Sequence, residues 1–87
     1  MKITAKFANT EGQVLVATFD QETGTVQDNL GRKGTYTAVP GSQTIEIKGD
    51  ETVTIKVADP VDFKPGFSTK YTASNGKSGT VTIEAIN

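Results

Sequence analysis

The stretch that decides the fold is residues 43–57, QTIEIKGDETVTIKV. Its apolar residues fall at every second position in two segments, Ile45 and Ile47, then Val53, Ile55 and Val57. This alternation is the pattern of a strand with one buried face, because successive side chains of a strand point to opposite sides. Gly49-Asp50 between the segments is typical of a tight turn. These residues therefore predict a β-hairpin.

The same period of two runs through most of the chain. Ile3, Ala5 and Phe7 share one face of the first segment, opposite Lys2, Thr4 and Lys6. Further strands are predicted at residues 14–19, 25–27, 35–39, 68–73 and 80–86, with Val81, Ile83 and either Ala85 or Ile86 inward. The segment 14–19 is apolar on both faces, and we expect it to lie centrally. Asn75-Gly76 predicts a type I′ turn, and Pro40-Gly41 is expected to stop the preceding strand.

No window shows the spacing of an amphipathic helix, and turn signals recur about every 8–12 residues. This spacing is typical of a sandwich or a barrel. The length of 87 residues fits one domain. We therefore predict a single all-β domain, residues 1–87, folded as an antiparallel β-sandwich of seven or eight strands.

The C-terminal third carries a resemblance to a known family. Phe63-Lys64-Pro65-Gly66, followed by residues 71–83, YTASNGKSGTVTI, is similar to the last two strands of immunoglobulin-like and fibronectin type III-like domains of bacterial or phage type. The resemblance implies an immunoglobulin-like (Ig-like) order of strands and a corner formed by Tyr71. A second, shorter resemblance, of Gly34-Thr35-Tyr36 and Val39-Pro40-Gly41 to transthyretin-like modules, also implies a β-sandwich.

The composition limits the chemistry. The chain has no cysteine and no histidine, so it lacks thiolate metal ligands, disulfides and the usual general base. Nine basic and ten acidic residues are mixed along the chain, which leaves no basic stripe for a nucleic acid. We expect no enzymatic activity, no cofactor and no nucleic-acid partner.

The N-terminus, MKITAKF, has no apolar run of the length found in signal peptides, and no segment is long and apolar enough to span a membrane. We expect synthesis in the cytoplasm, without a signal peptide, and no membrane partner.

Two loops are the candidate interaction sites, because binding residues concentrate on loops held by a rigid scaffold. They are residues 28–34, expected to be the longest loop, and residues 59–67. The candidate side chains in and beside them are Arg32, Lys33, Tyr36, Asp62, Phe63, Lys64 and Phe67.

Two narrower alternatives stay open. Asp59 and Asp62, with Asp20 or Asp28, could offer oxygen ligands to calcium, although Asp59-Pro60 is also a common strand terminator. Tyr36, Phe67 and Tyr71 could stack against a sugar or a base, although aromatic residues in a small sandwich more often belong to the core.

The predicted function is that of a non-enzymatic structural or interaction module with a protein partner. By analogy with short cysteine-free domains, we expect a phage virion accessory protein, either a capsid decoration or a tail-associated protein. One alternative is a carbohydrate- or cell-surface-binding domain of a larger secreted protein. Another is a small inhibitor that acts through an edge strand or its loops. The sequence leaves the oligomeric state open.

Overall fold

The computed structural model describes residues 1–39 and 41–87, and in this part of the chain it contains eight strands. They are β1 (Lys2–Asn9), β2 (Val14–Asp20), β3 (Thr25–Asp28), β4 (Lys33–Ala38), β5 (Thr44–Lys48), β6 (Thr52–Val57), β7 (Ser68–Ala73) and β8 (Ser78–Ile86). The predicted hairpin of residues 43–57 is confirmed as β5 and β6, with Ile45 opposite Ile55. The stop predicted at Pro40 falls on the one residue outside the described part, and β4 ends at Ala38.

The strands form one closed antiparallel barrel. Each strand pairs with the next in the chain, and β8 pairs back onto β1 from Asn9↔Gly79 to Ile3↔Ile86. The predicted Ig-like β-sandwich is therefore wrong. A strand of a barrel and a strand of a sandwich both alternate between a buried and an exposed face, so the period of two does not separate them. The distinction lies in the partner of the first strand, which is the last strand of the chain here.

Closure of the barrel also changes two expectations about single segments. A barrel has no central strand, and Val14 at the start of β2 is half-exposed. Tyr71 has no hydrogen bond from its hydroxyl to the upstream backbone within the described residues. Its ring lies inside the barrel, edge-on to Phe7, with 5.4 Å between the ring centroids. The order of strands that the resemblance in the C-terminal third implied is therefore not the order found in the fold.

Inward-facing side chains of all eight strands fill the barrel. Ile3, Ala5 and Phe7 are buried as predicted, together with Val81 and Ile83 of the neighbouring β8. The apolar cavity that remains inside has a volume of only about 30 Å³. Eight strands give an interior that side chains can just occupy, and this barrel follows that rule.

A register shift between Thr4 and Ala5 inserts one extra residue, Glu84, into β8. Beyond the shift, Ile86 lies opposite Ile3 and packs against the core. This bulge settles the choice between Ala85 and Ile86 in favour of Ile86 as the core residue.

Two of the connections differ from what the sequence suggested. The connection predicted at residues 28–34 spans only residues 29–32, and the longest connection is residues 58–67. In the β7–β8 hairpin, Gly76 has φ +88°, but Asn75 does not have positive φ. The Gly76 amide donates to the Ala73 carbonyl (3.0 Å), and the Ala73 amide donates to the Lys77 carbonyl (2.8 Å). This is a three-residue loop with glycine in the left-handed position, so the predicted type I′ turn is wrong.

Candidate functional site

The candidate side chains lie at two opposite ends of the barrel. Because consecutive strands run in opposite directions, successive connections alternate between the ends. One end, here called the turn end, carries the short connections at residues 10–13, 29–32, 49–51 and 74–77. The other, the cap end, carries both termini, the turn at residues 21–24, the β4–β5 connection and residues 58–67. Arg32 and Lys33 therefore belong to the turn end, whereas Asp62, Phe63, Lys64 and Phe67 belong to the cap end.

Residues 58–67, here called the cap, cross the open end of the barrel. Val61 is buried and bonded twice to the β4–β5 connection, since its carbonyl accepts from the Gly41 amide (2.9 Å) and its amide donates to the Ser42 carbonyl (2.8 Å). At the far side, the Gly66 amide donates to the Ile83 carbonyl of β8 (2.9 Å). Phe63, between these anchors, and Phe67, directly after the second one, pack against the core. The cap is thus a structural lid whose two predicted aromatic residues help to close the barrel.

Asp59 holds the start of the cap to β7. The Thr69 hydroxyl donates to Asp59 Oδ2 and accepts from the Asp59 amide, with both distances 3.0 Å. Thr69 is only 5% exposed and is the one buried polar residue of the described chain. Asp59 is therefore engaged in a structural bond at the cap.

Asp62 and Lys64 are among the exposed residues of the cap. Their side chains make an ion pair with 3.3 Å between Lys64 Nζ and Asp62 Oδ2, and both are more than half exposed. In the described part of the chain, no three acidic side chains come close enough to hold a metal ion. The calcium alternative thus has no preformed cluster of ligands there.

Arg32 is tied to the turn in which it lies. Its Nε donates to Asp28 Oδ2 at 2.6 Å, while Asp28 Oδ1 accepts from the amides of Leu30 and Arg32. Burial of Asp28 acts to raise the pKa of its carboxyl. The two amides and the Arg32 guanidinium outweigh that effect, and the pKa of Asp28 lies below its ordinary value. Lys33, the next residue, is exposed at the start of β4.

The aromatic candidates for sugar stacking are distributed through the core. Tyr36 faces inward from β4 and packs edge-on against Phe19, with ring centroids 4.9 Å apart. Burial raises the pKa of Tyr36, and the nearby Asp20 carboxylate adds to this effect. Tyr71 packs edge-on against Phe7, and Phe67 belongs to the cap. These three rings do not form one exposed platform.

A groove beside Tyr36 is a feature that the sequence analysis missed. It has a volume of about 350 Å³, is open to solvent, and is lined by Gln21, Gly24, Tyr36, Thr37 and Ala38. It exists because β3 is shorter than β4. Pairing between them starts at Thr25↔Thr35, so the last residues of β4 have a strand partner in β5 but none in β3. The unequal lengths of the predicted segments 25–27 and 35–39 were the signal in the sequence.

Within the described residues, no helix is long and apolar enough to cross a membrane. Comparison of the chain with models of protein families, with curated proteins and with solved structures found no match in any of the three.

Proposed function

We propose that the protein is a non-enzymatic interaction module that binds another protein through the cap end of its barrel. The observation that carries this proposal is the filled interior, whose cavity of about 30 Å³ is far smaller than the several hundred Å³ of a typical ligand pocket. A ligand therefore has only the outer surface and the two ends to bind. The absence of histidine and cysteine from the sequence supports binding over catalysis.

Both ends expose a large apolar side chain near charged residues, since Leu30 at the turn end is 69% exposed. We choose the cap end because it also carries the open groove beside β4. Val39, 59% exposed, follows β4, and its carbonyl accepts from the Ser42 amide (3.0 Å) beside the anchor of Val61. The charged pair Asp62 and Lys64 lies on the cap nearby. An exposed apolar side chain with charged neighbours resembles the apolar centre and polar rim of protein interfaces. The identity of the partner, a virion component or a cell-surface component, stays a prediction.

The proposal is tested with a photo-crosslinking amino acid placed at Asp62, in cells that naturally make the protein. The matched control carries the same group at Thr80, which is exposed on the outer wall of β8 away from the cap. We expect a discrete adduct from position 62 that excess unlabelled protein competes away, and none from position 80. Equal adducts from both positions, or no competed adduct from either, would contradict binding through the cap end.

A further inference from the structure

We propose that the groove beside β4 binds an extended peptide segment of a partner protein, which pairs with Ala38 as an added antiparallel strand. This inference rests on the proposed function and names a second contact at the same end of the barrel. At the groove, the backbone of β4 lacks a partner on the β3 side, which interrupts the hydrogen-bonded wall of the barrel.

The direction of the backbone groups follows from one hydrogen bond. The Tyr36 amide donates to the Gly24 carbonyl at 3.1 Å, so the backbone polar groups of Tyr36 point towards β3. Alternate residues of an antiparallel strand direct these groups to the same side. The amide and carbonyl of Ala38 therefore also point towards β3, where no strand continues. Those of Thr37 point to β5, opposite Glu46.

The turn at residues 21–24 leaves these groups open. The Gly24 amide donates to the Asp20 carbonyl at 2.9 Å and so is not available to the Tyr36 carbonyl. Among the described residues, no backbone group outside the strand ladders bonds the Ala38 amide or the Tyr36 carbonyl. The groove thus presents one donor and two acceptors in the positions that a paired strand would use. At the level of whole strands the barrel is closed, since each strand pairs with its two neighbours.

An extended peptide fits these groups better than other ligands do. Its residue opposite Ala38 can accept from the Ala38 amide and donate to the Ala38 carbonyl, which is how exposed sheet edges bind strands from other proteins. The groove runs along the outside of the wall, so side chains of the peptide that point outward meet no obstacle. The edge is short, and the contact is consequently weak by itself and depends on the rest of the interface for affinity.

The charge of the adjoining turn favours a peptide that carries a basic residue. Asp20 lies close enough to Tyr36 to affect its hydroxyl, and Glu22 is 83% exposed. The partner of Glu22 is the exposed N-terminal amino group at 3.6 Å, a distance and setting that give a weak ion pair. Lys2 lies opposite Asp20 on β1, yet no ion pair within 4.0 Å joins them in the described structure. Both carboxylates can therefore accept a cation from a bound peptide.

The test uses amide hydrogen exchange of the whole protein, measured by NMR. In the free protein we expect the Ala38 amide to exchange roughly tenfold or more faster than the Thr37 amide, which donates into the β5 ladder. The probe is an acetylated and amidated pentapeptide of alternating valine and lysine, and the control is the same peptide N-methylated at every residue. We expect the probe alone to slow exchange at Ala38 and to shift the signals of Gly24, Tyr36 and Ala38.

Two variants distinguish binding of the probe by backbone pairing from non-specific binding of the probe. Ala38→Pro removes the amide that faces the groove and leaves the bonds to β5 intact, so it is expected to weaken probe binding roughly tenfold. Ala38→Gly keeps the amide and is expected to bind as the parent protein does. If Ala38→Pro does not fold, the exchange rates of the parent protein still decide the question.

The proposal is overturned if the Ala38 amide is as protected as that of Thr37 in the free protein. It is equally overturned if the probe shifts other signals while Ala38 is unchanged. Either result together with a persistent crosslink from position 62 would refute only the strand-pairing groove. Loss of that crosslink as well would refute the proposed function with it.

Discussion

Replacing Gly79 by alanine tests the closure of the barrel where β8 meets β1. Gly79 lies in β8 between Asn9 of β1 and Tyr71 of β7. A Cβ atom on Gly79 would lie 2.6 Å from the Asn9 Cα and closer still to the Ala8 carbonyl oxygen. These neighbours are backbone atoms of a paired strand and cannot rotate away. The two strands would have to separate locally by roughly 1.5 Å to restore ordinary contact.

The expected loss of stability follows from three contributions. Overpacking against a rigid neighbour costs about 1–3 kcal/mol. Separation of the strands also weakens the bond from the Thr10 amide to the Ser78 carbonyl (2.9 Å), which contributes about 1 kcal/mol. Alanine restricts the unfolded chain more than glycine does, which offsets about 0.4–1 kcal/mol of this loss of stability. The net loss for Gly79→Ala is about 1–3.5 kcal/mol with a centre near 2 kcal/mol, against the roughly 5 kcal/mol expected for a domain of this size.

The assay is unfolding in urea followed by far-UV circular dichroism, because the chain has no tryptophan. A loss of this size lowers the urea midpoint by roughly 2 M, for a slope near 1 kcal/mol per molar urea. The matched control is Gly49→Ala, whose Cβ would meet only the Lys33 carbonyl oxygen, at an ordinary 3.5 Å. We expect this control to be neutral or up to about 1 kcal/mol more stable than the parent protein. The reasoning is refuted if Gly79→Ala lies within about 0.5 kcal/mol of the parent, or if both variants lose the same stability.

Three further predictions concern the cap and the turn end. Thr69→Val removes the hydroxyl that accepts from the Asp59 amide and donates to the Asp59 carboxylate. We expect the free energy of unfolding in urea to fall by about 1–2 kcal/mol, and an unchanged value would show that these bonds contribute nothing to stability. Phe63→Ala removes a partly buried ring from the cap and is expected to lower the free energy of unfolding by about 1–2 kcal/mol. The control Lys64→Ala, at an exposed position of the cap, is expected to change it by less than about 0.5 kcal/mol. Equal effects of the two variants would show that the Phe63 ring does not pack against the core. Because the pKa of Asp28 is lowered by folding, its ionised form contributes stability that is present above the ordinary pKa near 4 and is lost as the pH falls through the folded-state pKa. Thermal unfolding of Asp28→Asn should therefore lose less stability on acidification than the parent protein does, and identical pH profiles would contradict this.

The alternation of apolar residues was enough to predict the strands but not the way in which they close. The faces of Ile3, Ala5 and Phe7 and the hairpin of residues 43–57 are determined by local order, and both are as predicted. The pairing of β8 with β1 joins residues from opposite ends of the chain, and the alternation of residues within each strand does not predict it. The prediction of a sandwich was wrong because it depended on this long-range pairing.

The candidate site shows the same division between local and long-range information. The sequence identified residues 59–67 as an irregular connection, but it did not show that Phe63 and Phe67 turn inward to close the barrel. It also placed Arg32 and Asp62 in one set of candidate residues, although they lie at opposite ends. The groove at Ala38 arises from unequal lengths of β3 and β4, which become meaningful only when those strands are known to be neighbours.

The measurement that tests the closed barrel most directly is a set of nuclear Overhauser effects between backbone protons of β1 and β8. The barrel predicts cross-strand contacts along the register Lys6↔Thr82, Phe7↔Val81 and Ala8↔Thr80, together with contacts for the seven pairs of consecutive strands. Absence of the β1–β8 contacts while the seven other sets are present would show an open sheet and contradict the closed barrel.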